Sequence, residues 1–129
     1  MDAGRLTLSL LADRYAVVRL GADDPWPAWA LDAPPLVALA RTADELSVIC
    51  REEAVPAGSP ARRGWRALKV HGPFPFDAVG VLASLASPLA DAGVSILTVS
   101  TYDTDYLFVR QEQLVDAVAA LTPRHVVLR

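Results

Sequence analysis

Thr101-Tyr-Asp-Thr-Asp105 packs two carboxylates and three hydroxyls into five residues. Carboxylates beside hydroxyls suit an ammonium group, because a hydrogen bond to an ionised acceptor is roughly twice as strong as a neutral one. Asp103 and Asp105 could also do acid–base work, yet no nucleophile or oxyanion hole accompanies them, so no catalytic constellation emerges and the chain does not read as an enzyme. A second group lies upstream at Phe76-Asp-Ala-Val-Gly80. There Asp77 is a good N-cap, and the free amides of Ala78, Val79 and Gly80 at the start of the following helix form a ready site for a carboxylate. Gly80 lets a backbone approach closely. The bland reading explains the same residues: a solvated turn and a plain helix cap. Asp77 would itself repel a carboxylate unless its side chain is occupied in capping.

Other reactive side chains form no pattern. His71 and His125 lie far apart in sequence, with no Cys or Glu at a metal-ligand spacing, so zinc is not expected. Cys50 has no identifiable base and reads as a buried small hydrophobe. No glycine loop fits a phosphate cradle. No cofactor is expected.

The elements that must position the two groups follow from periodicity. Val94–Val99 and Tyr106–Val109 are β-branched or aromatic runs and read as a strand pair flanking the acidic turn. Val81, Leu82, Leu85, Ala86 and Leu89 fall on one helical stripe, predicting a helix from Asp77 to about Ala92. Gly93 ends it, and Pro88 predicts a kink. A second helix is predicted from about Gln111 to Leu121, with Leu114, Val118 and Leu121 inward. Strands at Arg66–His71 and His125–Leu128 complete a β-α-β-β-α-β order, the ferredoxin-like pattern. In the first half, Leu6–Leu11 and Tyr15–Leu20 read as a hairpin joined by Ala12-Asp13-Arg14. Trp26–Leu31 holds one helical turn, and Leu36–Ala40 and Leu46–Arg51 are further strands. Thr42-Ala-Asp-Glu45 matches a capping box opening a short helix.

Composition sets the outer limits. The chain has 129 residues, 53% of them apolar, which excludes disorder. No apolar run approaches the roughly eighteen residues of a membrane span, and the first residues do not resemble a signal peptide. One cysteine fits a reducing cytosol. Net charge is −3 with no basic stripe, which argues against nucleic acid as a partner. Val55-Pro-Ala-Gly-Ser-Pro-Ala-Arg-Arg-Gly64 is the clearest break. It divides the chain into an N-terminal lobe (1–55), a linker (56–64) and a C-terminal domain (65–129).

Phe76 to Ile96 resembles the strand–loop–helix–strand signature of ACT domains, small regulatory modules that bind amino acids. Ser100–Val109 is similar to the subgroup containing aspartate kinase regulatory domains, the cytosolic arginine sensors of the TOR pathway, and small stand-alone bacterial proteins with two ACT-like halves. Trp26–Leu31 and Arg41–Cys50 resemble the first lobe of that bacterial group. The resemblance implies an α+β fold of two ferredoxin-like (ACT-like) lobes side by side, with antiparallel sheets and helices on one face. It also implies a cytoplasmic, non-catalytic regulator whose amino acid effector sits between the loop before the first helix and the strand of a neighbouring lobe or subunit. Phe76, Asp77, Ala78, Val79, Gly80, Thr101, Tyr102, Asp103, Thr104 and Asp105 would bind it. In the arginine sensors an aspartate at the place matching Asp105 takes part in binding, which favours Asp105 over Asp103 for the ammonium. A homodimer or an unidentified regulated protein is the implied partner. The competing reading is a ligand-free interaction or dimerisation module anchored by Trp26, Trp29 and Trp65.

Overall fold

Thr7–Leu20 is one continuous strand of 14 residues, β1, rather than the expected hairpin. Ala12-Asp13-Arg14 contains no glycine or asparagine to take the positive φ of a tight hairpin turn, so the chain runs straight on. The computed structural model describes residues 4–75 and 78–129. After β1 come α1 (Ala28–Leu31), β2 (Ala38–Arg41), β3 (Leu46–Arg51), β4 (Ala61–Val70), α2 (Val81–Asp91), β5 (Ile96–Ser100), β6 (Asp105–Arg110), α3 (Leu114–Leu121) and β7 (Val126–Leu128). Short 3₁₀ turns precede the β4 and α3 segments, at Glu52–Ala54 and Gln111–Gln113.

The chain forms two compact units: residues 13–65, and the described residues up to Ala12 together with 66–129. This moves the expected boundaries. The first dozen residues belong with the second half, and the expected linker is partly strand. Only Pro56–Ser59 turns, closed by the Ser59 amide on the Pro56 carbonyl (3.2 Å), before β4 begins at Ala61. β1 and β4 each give residues to both units.

In the larger unit the strand order is β7-β1-β4-β6-β5. From β4 onward the elements follow the expected β-α-β-β-α-β succession. The closure differs: β7 pairs with β1, in parallel, with Thr7 opposite Val126 and Ser9 opposite Leu128. The expectation of antiparallel sheets holds for β5–β6 and fails for this pair. Leu6 and Leu8 of the N-terminal segment thereby join Leu68, Val70, Leu107 and Val109 in one apolar layer. Val81, Leu85 and Leu89 of α2 and Ala117 and Leu121 of α3 cover it. Each of the leucine and valine side chains stabilises the fold by about 1.5–3 kcal/mol when fully buried.

Pro88 sits inside α2 and has no amide to give the Ser84 carbonyl four residues back. The buried His125 replaces it. Its Nδ1 accepts the Leu6 amide (3.1 Å), so the neutral ring carries its proton on Nε2, which donates to the Ser84 carbonyl (3.2 Å). One side chain thus satisfies two backbone groups that would otherwise be orphaned.

In the smaller unit β3 lies between β2 and β1, antiparallel to both. Ala16, Val18, Ala30, Leu46, Val48, Cys50 and Val55 form its core. The capping-box residues open no helix. Thr42 Oγ1 accepts the amides of Asp44 and Glu45 (both 3.1 Å), closing the β2–β3 turn, and β3 starts at once. Burial pushes the Cys50 thiol pKa up, as expected of a small hydrophobe.

Candidate functional site

The β5–β6 hairpin closes at Ser100 and Asp105, which face each other in register. Ser100 Oγ donates to Asp105 Oδ1 at 2.5 Å, fixing one carboxylate oxygen. Beyond that pair the turn is self-tied. The Thr101 amide donates to the Thr104 carbonyl (2.7 Å), and Thr101 Oγ1 accepts the Thr104 amide (3.2 Å) while donating to the Thr104 carbonyl (3.0 Å). Two hydroxyls of the sequence motif therefore have structural work. Thr104 is buried, and its hydroxyl donates to the Val70 carbonyl at the end of β4 (2.7 Å).

The segment after β4 is pressed against this turn. The Phe74 amide donates to the Asp103 carbonyl (2.9 Å). A Cβ at Gly72 would lie 2.9 Å from the same carbonyl oxygen, so only glycine allows the approach. Phe74, Pro75, Ala78 and Val81 on one side and Ser100 to Asp105 on the other enclose a pocket of about 230 Å³. That is room for roughly seven waters at about 30 Å³ each. Its walls are apolar on the helix side and acidic or hydroxylic on the hairpin side. Among the described residues neither Asp103 nor Asp105 is in an ion pair, and no basic side chain lines the pocket.

The two groups of residues singled out in the sequence thus share one pocket, with revisions. Thr101, Tyr102, Asp103, Thr104, Asp105 and Ala78 line it. Tyr102 is 79% exposed, because it sits at the turn tip. Val79 is 67% exposed and does not line the pocket, nor does Gly80. The helix begins later than expected. Gly80 itself caps it, at φ 82°, and the first helical bond runs from the Ser84 amide to the Gly80 carbonyl (2.9 Å). The amides left without a helical acceptor are those of Val81, Leu82 and Ala83, while the Ala78 amide is held by the Pro75 carbonyl (3.0 Å). Phe76 and Asp77 lie outside the described residues. Pro75, Val81 and Ser100 line the pocket without having been singled out. Ser100 was readable in principle, since any hairpin pairing Val99 with Tyr106 puts it opposite Asp105.

Other candidates fall elsewhere. Trp65 is buried, which removes it as an interface anchor; Trp29 packs on the smaller core; Trp26 is half exposed under the Arg41 guanidinium, 4.5 Å from its ring centre. His71 Nε2 bonds Ser9 Oγ at 2.6 Å. Among the described residues no three His, Cys, Asp or Glu side chains gather as a metal site, and no helix is long and apolar enough to cross a membrane.

The family model of the ACT domain matches residues 61–123. The chain is an ACT-domain protein. A second model, of an N-terminal domain, matches residues 13–58, close to the smaller unit. This ACT-domain chain is similar over 98% of its length to a crystal structure of an Agobacterium tumefaciens protein, at 38% identity and TM-score 0.90, covering 94% of that chain. It shares the fold of the regulatory subunit of aspartate kinase from Thermus thermophilus (15% identity, TM-score 0.67, 95% of this chain and 98% of that one). It is also 33% identical over 61 residues to the human cytosolic arginine sensor for mTORC1 subunit 1. That match spans 46% of this chain and 18% of the sensor.

Proposed function

We propose that this protein binds a free amino acid in the pocket between Phe74, Pro75, Ala78 and Val81 on one side and the 100–105 turn on the other, and that occupancy regulates a partner protein. The observation that carries the reading is the pocket's division of labour. Asp105 presents a carboxylate whose Oδ1 is fixed by Ser100, leaving Oδ2 for an ammonium. Val81 lines the pocket at the first turn of α2, where three amides lack helical acceptors and the helix end is positive, which suits a carboxylate. Phe74, Pro75 and Val81 supply an apolar wall for the rest of the ligand. The names of the relatives point the same way: one senses arginine, another is a regulatory subunit. The protein acts without catalysis, in the cytoplasm, by favouring one of two arrangements according to their different affinities for the ligand.

Isothermal titration with each of the twenty amino acids tests this. At least one binds with measurable heat, and Asp105→Asn weakens it at least tenfold, as expected for a charged hydrogen bond of about 1.5–3 kcal/mol. No heat from any amino acid at millimolar concentration removes the reading. Unchanged affinity in Asp105→Asn moves the ammonium elsewhere.

A further inference from the structure

Arg5 and Arg124 are 119 positions apart in the chain, and both line a pocket of about 290 Å³ in the larger unit. Gly4, Ser84 and His125 complete its lining. The convergence follows from the β1–β7 pairing, which is preceded by the Val126 amide donating to the Leu6 carbonyl (2.8 Å). That bond places the residue before Leu6 and the residue before His125 at the same end of the sheet.

Both guanidiniums are exposed at the residue level, and among the described residues neither is in an ion pair. Two cations beside one concavity, in a chain of net charge −3, make a local field of the opposite sign to the whole. Among the described residues no carboxylate lines the pocket to neutralise it. The floor is rigid, because both ring nitrogens of His125 are engaged, one with the Leu6 amide and one with the Ser84 carbonyl. Ser84 Oγ is likewise fixed, donating to the Val81 carbonyl (2.8 Å). A guanidinium offers five donors in a planar fork matched to tetrahedral oxyanions.

The geometry points to a phosphate-binding site between Arg5 and Arg124, distinct from the acidic pocket, that takes a small molecule carrying a phosphoryl group. The volume leaves room for the group and the first atoms attached to it. The two pockets have opposite charge, so neither ligand fits the other's place.

The test is titration of the full chain with inorganic phosphate, followed by backbone amide chemical shifts at constant ionic strength. The expected result is saturable movement of the Leu6, Ser84 and His125 amides at millimolar phosphate or below, with chloride and acetate at matched ionic strength producing none. Arg5→Gln combined with Arg124→Gln weakens binding at least tenfold; both side chains are exposed, so the fold tolerates the change. Arg124→Lys, which keeps the charge and loses the fork, weakens it several-fold. Linear, non-saturating shifts overturn the proposal. So does equal response to acetate, or unchanged affinity in either variant, since each would mean a diffuse field without a built site.

Discussion

His125 and Pro88 are coupled through the Ser84 carbonyl, and a double-mutant cycle measures the coupling. His125→Ala removes the acceptor for the Leu6 amide and the donor for the Ser84 carbonyl. Leu6 is 4% exposed, so its stranded amide costs about 1–3 kcal/mol. Ser84 is half-buried beside the Arg5–Arg124 pocket, where water can enter, so its carbonyl costs about 1 kcal/mol at most. With the lost packing of the ring, the total is about 3 kcal/mol, a fall in Tm of roughly 10 °C for a chain of this size. Pro88→Ala changes one of these entries. It restores an amide that the Ser84 carbonyl can accept within the helix, so His125→Ala in that background strands only the Leu6 amide. The cost of losing the histidine then drops by about 1 kcal/mol. Urea unfolding of the four proteins, with m checked for constancy, gives the cycle. Equal cost of His125→Ala in both backgrounds, within a few tenths of a kcal/mol, refutes the argument that the imidazole compensates for the proline.

Gly72→Ala places a methyl 2.9 Å from the Asp103 carbonyl and forces the acidic turn away. Its expected cost is about 1–3 kcal/mol in urea unfolding, with a parallel loss of amino acid affinity by calorimetry; full retention of both shows that the turn is not held by that contact. The raised thiol pKa of Cys50 has a definite sign in stability. The neutral thiol is favoured in the folded state, so its contribution is fully present below the unfolded thiol's range, about pH 8.5, and is lost as pH rises through the higher folded value. The stability difference between the protein and Cys50→Ala therefore narrows above about pH 8.5, and a difference constant to pH 10 contradicts it. The same burial makes alkylation of Cys50 at pH 8 slow in native protein and fast in urea; a rapid native reaction places the thiol at the surface.

The elements of the larger unit were legible because their periods are local properties. The Val81–Leu89 stripe has helical spacing, and the β-branched and aromatic runs flanking the acidic turn have strand composition, so helix, hairpin and acidic turn were all readable in one dimension. The carboxylates and hydroxyls of the turn were readable because they follow one another between the two strands, although an ordinary solvated turn explained them equally well. Three matters needed the third dimension. The first strand's length depended on the absence of glycine or asparagine at 12–14, a negative signal that alternation alone overlooks. The helix start depended on which backbone amides found acceptors, and that choice was made by Pro75 and Gly80 together with the packing of the loop. Last, β7 pairs with β1 across almost the whole chain, and no local preference encodes a parallel pairing of that separation. That pairing gathers Arg5, Arg124, Ser84 and His125 in one place, because long-range hydrogen bonding, not spacing along the chain, decides which polar groups become neighbours.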